Sequence, residues 1–91
     1  MLRVHSLEQA NQMMPYVQGI TAKAAKEVLV LAQERDSFEL GDAGYDDCVA
    51  RIQKVIDIWV EQVEEVGVKP RGLWGVDFDK GDGYYTWKYP E

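Results

Sequence analysis

The side chains that could do chemistry in this 91-residue sequence are few: one histidine, one cysteine, and sixteen carboxylates set against ten basic groups. A zinc site of the usual Cys/His kind needs three or four such ligands, so a lone Cys48 and a lone His5 exclude it within one chain. Asp77, Asp79 and Asp82, with Gly81 and Gly83, have the outline of a calcium loop, but the register fails. Gly81 holds the fifth position, Asp82 the sixth, and Lys88 stands where the bidentate glutamate belongs. These side chains are expected to shape and solvate a turn. Asp57, Glu61 and Glu64 fall at i, i+4 and i+7 on the polar side of a helix, and Glu65 adds negative charge that opposes the helix dipole. Such a cluster suits a cation or a basic partner; the plainer reading is a solvated face that keeps the protein soluble.

His5 has no nucleophile to activate, because Ser6 is committed to capping, and there is no G-x-S-x-G turn or phosphate-cradling glycine loop. Cys48 sits in an apolar stripe among acidic neighbours, which points to a buried, inert thiol. No catalytic, cofactor-binding or metal-binding residue is assigned, and the balance is against an enzyme. The net charge of −6 repels phosphate backbones, and no stretch gathers Lys and Arg on one face, so nucleic acid is not an expected partner. No apolar run approaches the ~20 residues that span a bilayer, and no secretory signal is read at the N-terminus, so the expected address is cytoplasmic and off the membrane.

The elements that must position any site read as a single mainly α domain with a small β-hairpin, an α+β fold, over residues 1–91. Ser6-Leu7-Glu8-Gln9 has the form of a capping box, which predicts a helix from about residue 6. Pro15 removes a backbone donor, so this helix either stops near Met13, giving helices over about 6–13 and 15–35, or continues with a kink. Val17, Ile20, Ala24, Val28 and Leu31 carry the apolar phase across the junction, Ala22, Ala25, Leu29 and Ala32 broaden that face, and Val30 is isolated behind it. After an acidic, glycine-containing loop, a helix over about 45–66 places Tyr45, Cys48, Val49, Ile52, Val55, Ile56, Trp59, Val60, Val63 and Val66 on one broad stripe. Ile58 lies outside that stripe, and Gly67 is the expected C′ residue. The two long helices form an antiparallel helical hairpin.

From Leu73 the period changes to two, predicting strands over about 73–79 and 84–89. A four-residue loop at 80–83 sets Phe78 opposite Tyr85, Val76 opposite Trp87 and Trp74 opposite Tyr89, with Asp77, Asp79, Tyr84, Thr86 and Lys88 on the other face. This two-stranded hairpin is expected to pack on the helices.

The stretch Ser6-Leu7-Glu8-Gln9-Ala10-Asn11 running into Met14-Pro15-Tyr16-Val17 resembles the N-terminal signature of a bacterial family catalogued as domain of unknown function 2203. The C-terminal Gly67-Val68, Gly72-Leu73, Val76-Asp77-Phe78, Asp82-Gly83, Trp87-Lys88 and Pro90-Glu91 follow the same family's order. The likeness covers the whole chain, its specificity resting on the two ends together. It implies the helical architecture and a bacterial, cytoplasmic setting; the family carries no established activity, substrate or catalytic residue. Its members often continue through a further aromatic and histidine-containing segment beyond the position of Glu91, so no site built on that segment is expected here.

Apolar arcs this wide exceed what one antiparallel neighbour covers, and a short β-hairpin cannot reach along two helices of ~30 Å. The first expectation is therefore a non-enzymatic, self-associating interaction or scaffold domain, a homo-oligomer and most simply a dimer, with Val30 and Ile58 in the contact. The alternative is a small-molecule or metal-binding module or enzyme whose pocket lies between the β-hairpin and the first helix. That pocket would draw on Asn11, Asp77, Tyr85 and Trp87, with Trp74 among the aromatics shared by either reading.

Overall fold

A computed structural model describes residues 6–91; His5 lies outside the described residues. The capping box forms as its residue types require. The Ser6 hydroxyl accepts from the Gln9 backbone N–H at 3.1 Å, and the Gln9 side-chain oxygen accepts from the Ser6 N–H at 2.9 Å. Helix α1 follows as one element, Leu7–Arg35. Of the two expectations at Pro15, the break into helices over 6–13 and 15–35 does not occur, and the helix runs on with Pro15 inside it. Pro15 itself is exposed, while Ala10, Met13 and Met14 before it and Val17 after it pack into one core. Burial on both sides of the junction offsets the ~3 kcal/mol a proline costs in a helix interior.

Asp36 ends α1, and the loop turns through Gly41 at φ +95° into helix α2, Ala43–Glu65. At its start the Phe38 ring lies over Gly44, where a Cβ would come within 2.5 Å of the ring. The far end of α2 closes as the sequence predicts. Gly67 has φ +77°, its N–H donates to the Glu64 carbonyl at 2.9 Å, and the Val68 N–H donates to the Val63 carbonyl at 3.2 Å. That pair of bonds satisfies two carbonyls the helix leaves open and brings Val68 into the core beside Val63.

The sheet has three antiparallel strands in the order β1 (Lys69–Pro70), β2 (Gly75–Asp79), β3 (Tyr84–Lys88). The two-stranded hairpin expected from the sequence is thus one strand short, because β1 is only two residues long and half of it is proline, too little to leave a periodic signal. The β2–β3 register is the predicted one: Val76 pairs with Trp87 and Phe78 with Tyr85. The Tyr89 N–H donates to the Trp74 carbonyl at 3.0 Å, so those residues meet as expected although both lie beyond the regular ladder. The turn between β1 and β2 is tight. The Arg71 N–H donates to the Gly75 carbonyl at 2.7 Å, and a side chain on Gly75 would collide with the Arg71 carbonyl. Trp74 takes φ +63°, rare for a bulky residue, and its ring meets Trp59 edge-on at 5.2 Å.

The core joins Ala10, Val17 and Ala24 of α1, Trp59 and Val63 of α2, Val68, Val76 and Phe78, and Trp87. All of these lie at the sheet end of the helical hairpin. The molecule extends 48 × 22 × 17 Å with a radius of gyration of 15.4 Å, against ~12 Å for a compact domain of this length. The excess is the bare part of the hairpin.

Candidate interaction surface

Past Ala24 no residue of α1 is fully buried, and before Trp59 only Cys48 of α2 is. In this distal half Val28, Leu31 and Ala32 of α1, with Ile52, Val55 and Ile56 of α2, are half-buried. They are the apolar stripes read from the sequence, and the sheet does not reach them. Beside them stand the two residues singled out as misplaced: Val30 is 61% exposed and Ile58 45%. Leu29, Val49 and the loop residue Leu40 are also exposed.

A cleft of about 280 Å³ runs between the helices, lined by Ile20, Lys23, Ala24 and Glu27 of α1 and by Val55, Ile58, Trp59 and Gln62 of α2. A shallower depression of about 390 Å³, lined by Lys26, Glu27, Val30 and Leu31, continues it along α1, with Glu27 common to both. Trp59, which lines the cleft, is anchored behind it. The Thr21 hydroxyl donates to the Val17 carbonyl at 2.7 Å and accepts from the Trp59 indole N–H at 2.8 Å, so a fully buried polar bridge ties the helices together. Sequence reasoning missed Thr21. The available signal was its place between Val17 and Ala24 on the apolar face, together with the need of a buried Trp N–H for an acceptor.

The residues of the alternative pocket are not brought together. Tyr85 and Trp87 pair with Phe78 and Val76 and share their face of the sheet, whereas Asp77, pairing with Thr86 and Lys69, points to the other. Asn11 is exposed on α1. The Trp87 indole donates to the Glu91 carbonyl at 3.1 Å, and the Trp74 ring is engaged with Trp59. Asp77, read from the sequence as solvent-facing, is buried. Its carboxylate accepts from the Thr86 hydroxyl at 2.8 Å and pairs with the Arg71 guanidinium at 3.2 Å, which cover it. Arg71 enters through the β1–β2 turn, and β1, at two residues, is too short to leave a periodic signal that would place it.

Asp57, Glu61 and Glu64 are exposed, and the Asp57 carboxylate accepts from the Gln53 amide at 2.8 Å. Among the described residues no three His, Cys, Asp or Glu side chains are grouped to hold a metal ion. Asp79 accepts from the Gly81 N–H at 2.8 Å, as a turn-forming aspartate does. Cys48 is buried, and its thiol is pushed above the usual range, first by burial and then by the Glu34 and Asp47 carboxylates. No helix of the described residues is long and apolar enough to cross a membrane. No protein-family model, curated protein or solved structure matches the chain.

Proposed function

We propose that this protein is a non-enzymatic interaction domain that self-associates through the distal half of its helical hairpin. One observation carries the reading: fully buried core residues run from the sheet to Ala24 and Trp59 and, Cys48 apart, stop there. Beyond that point two amphipathic helices hold half-buried aliphatic rows with no third layer over them among the described residues. A second copy laid on this face builds a four-helix arrangement, the ordinary way in which paired helices with wide apolar arcs complete a core. The polar groups of the sheet end are engaged with one another, Asp77 with Arg71 and Thr86, and Trp59 with Thr21, which favours a structural role for them over a catalytic one. The same proposal takes the chain as a bacterial, cytoplasmic member of the domain of unknown function 2203 family, on the residues of its two ends.

Sedimentation velocity between about 5 and 500 µM tests the reading. The expected result is a concentration-dependent dimer, shifted toward monomer by Val30→Glu or Ile58→Glu with unchanged helical content. A monomer across the whole range overturns it.

A further inference from the structure

The outward ridge of α2 beside the cleft is Arg51, Lys54, Ile58, Glu61 and Glu65, spaced three and four apart so that all five stand in one line along the helix. All five are exposed. Their charges read plus, plus, apolar, minus, minus, with Ile58 at the centre. A sequence of charges that inverts about its midpoint complements a second copy of itself run in the opposite direction, as an isologous two-fold contact requires.

We infer that two copies pack α2 against α2 in antiparallel fashion about a two-fold axis at Ile58. This inference rests on the self-association proposed above and names its geometry. The rotation sets Ile58 on the partner's Ile58 and Lys54 beside the partner's Glu61, and these carry the contact; Arg51 and the partner's Glu65, which already has an interaction within its own chain, stand level at the ends of the ridge. Lys54 and Glu61 make no ion pair within the chain among the described residues, so each is available across the axis. Arg51 is held at 3.0 Å by Asp47 through its Nε, which leaves the Nη donors of its guanidinium for a second carboxylate. A parallel pairing of the same ridge sets Lys54 on the partner's Lys54 and Glu61 on the partner's Glu61, and is disfavoured at every charged position.

Helix α1 agrees with the same axis. The Trp59–Thr21 hydrogen bond places Ile58 level with about residue 22 of α1. The rotation then carries Val30 to within a turn of the partner's Tyr16, and both are exposed apolar side chains of α1.

The test uses the full chain. Ile58→Cys should form a disulfide-linked dimer under oxidised glutathione, seen on a non-reducing gel. The natural chain, whose Cys48 is buried, should not. Lys54→Glu should weaken the dimer about fivefold or more by setting like charges at two symmetric positions, and the swap Lys54→Glu with Glu61→Lys should restore it. A dimer that neither cross-links at position 58 nor recovers on the charge swap overturns the α2 contact and leaves self-association standing. A natural chain that sediments only as a monomer overturns both.

Discussion

Replacing Thr21 by valine removes a single oxygen from the centre of the molecule, and its cost can be worked out from the two hydrogen bonds that oxygen makes. The Val17 carbonyl keeps its place in the α1 ladder, so losing the Thr21 donor there costs little. The Trp59 indole N–H has no such reserve: Trp59 is 1% exposed, and its acceptor at 2.8 Å is that hydroxyl. An orphaned buried donor costs about 1–3 kcal/mol. Valine returns about 0.5–1 kcal/mol by burying a methyl group where a hydroxyl stood. Both residues are β-branched, so helix propensity is nearly unchanged. The net expectation is a loss of about 1–2 kcal/mol, or roughly 5–15 °C in melting temperature for a domain of this size.

The assay is urea unfolding followed by circular dichroism at 222 nm, at one fixed protein concentration because association adds to apparent stability. The decisive comparison is a double-mutant cycle. Trp59→Phe removes the donor, at its own cost in lost packing against Trp74, and in that background Thr21→Val should be neutral or mildly stabilising. A coupling energy of about 1–2 kcal/mol is therefore expected between two residues 38 positions apart. Equal losses from Thr21→Val in both backgrounds would refute the reasoning, since the hydroxyl would then matter for something other than the indole.

Pro15→Ala restores a donor for the Asn11 carbonyl at an exposed position inside α1, and should raise stability by up to about 3 kcal/mol in the same urea assay; a loss would show that the ring itself packs. Thr86→Val leaves one oxygen of the buried Asp77 carboxylate with only the long Arg71 contact, at an expected cost of about 1–2 kcal/mol, whereas Asp77→Asn keeps the Thr86 bond and costs less. The reverse order would show that the ion pair to exposed Arg71 dominates. The raised pKa of Cys48 means that the folded chain holds its thiol proton more tightly than the unfolded one. Its contribution is complete below the ordinary thiol pKa and is lost as pH rises past it, so stability should fall on the alkaline side, and Cys48→Ala should flatten that fall. Iodoacetamide at pH 8 should label Cys48 slowly in the native protein and quickly in urea.

What could be read from the sequence follows the strength of the periodic signals. The pairing of Val76 with Trp87 and of Phe78 with Tyr85 was legible because a slip of one residue would have sent bulky aromatics to the wrong face. The capping box and the Gly67 terminus were legible because each satisfies backbone groups through a local pattern of residue types. Pro15 left two readings open because its cost is local while the burial that decides between them is tertiary. The β1 strand was invisible because two residues carry no period, and with it went the Arg71 cover that lets Asp77 be buried. Thr21 was overlooked because polar residues were left out of the apolar count, although a hydroxyl in a helix can be buried when it donates to the carbonyl one turn back and accepts from an indole.

The uneven core has a consequence for how the molecule can work. At the sheet end, aromatic packing, the Thr21–Trp59 bridge and the Asp77 cluster fix the helices against each other and against β1–β3. At the other end, among the described residues, α1 and α2 pack only on each other and their connecting loop, and helices of this length gain most of their stability from what covers their apolar face. The distal half is therefore the part whose order responds most to a partner, since any copy bound there adds stability in proportion to concentration. A rigid base that holds two long helices parallel enough to present one ridge, with Ile58 at its centre and opposite charges at its ends, needs no catalytic group to be useful. If two copies pair as proposed, specificity lies in the order of charges along α2, and a chain with the same composition but a shuffled ridge should keep the fold and sediment as a monomer.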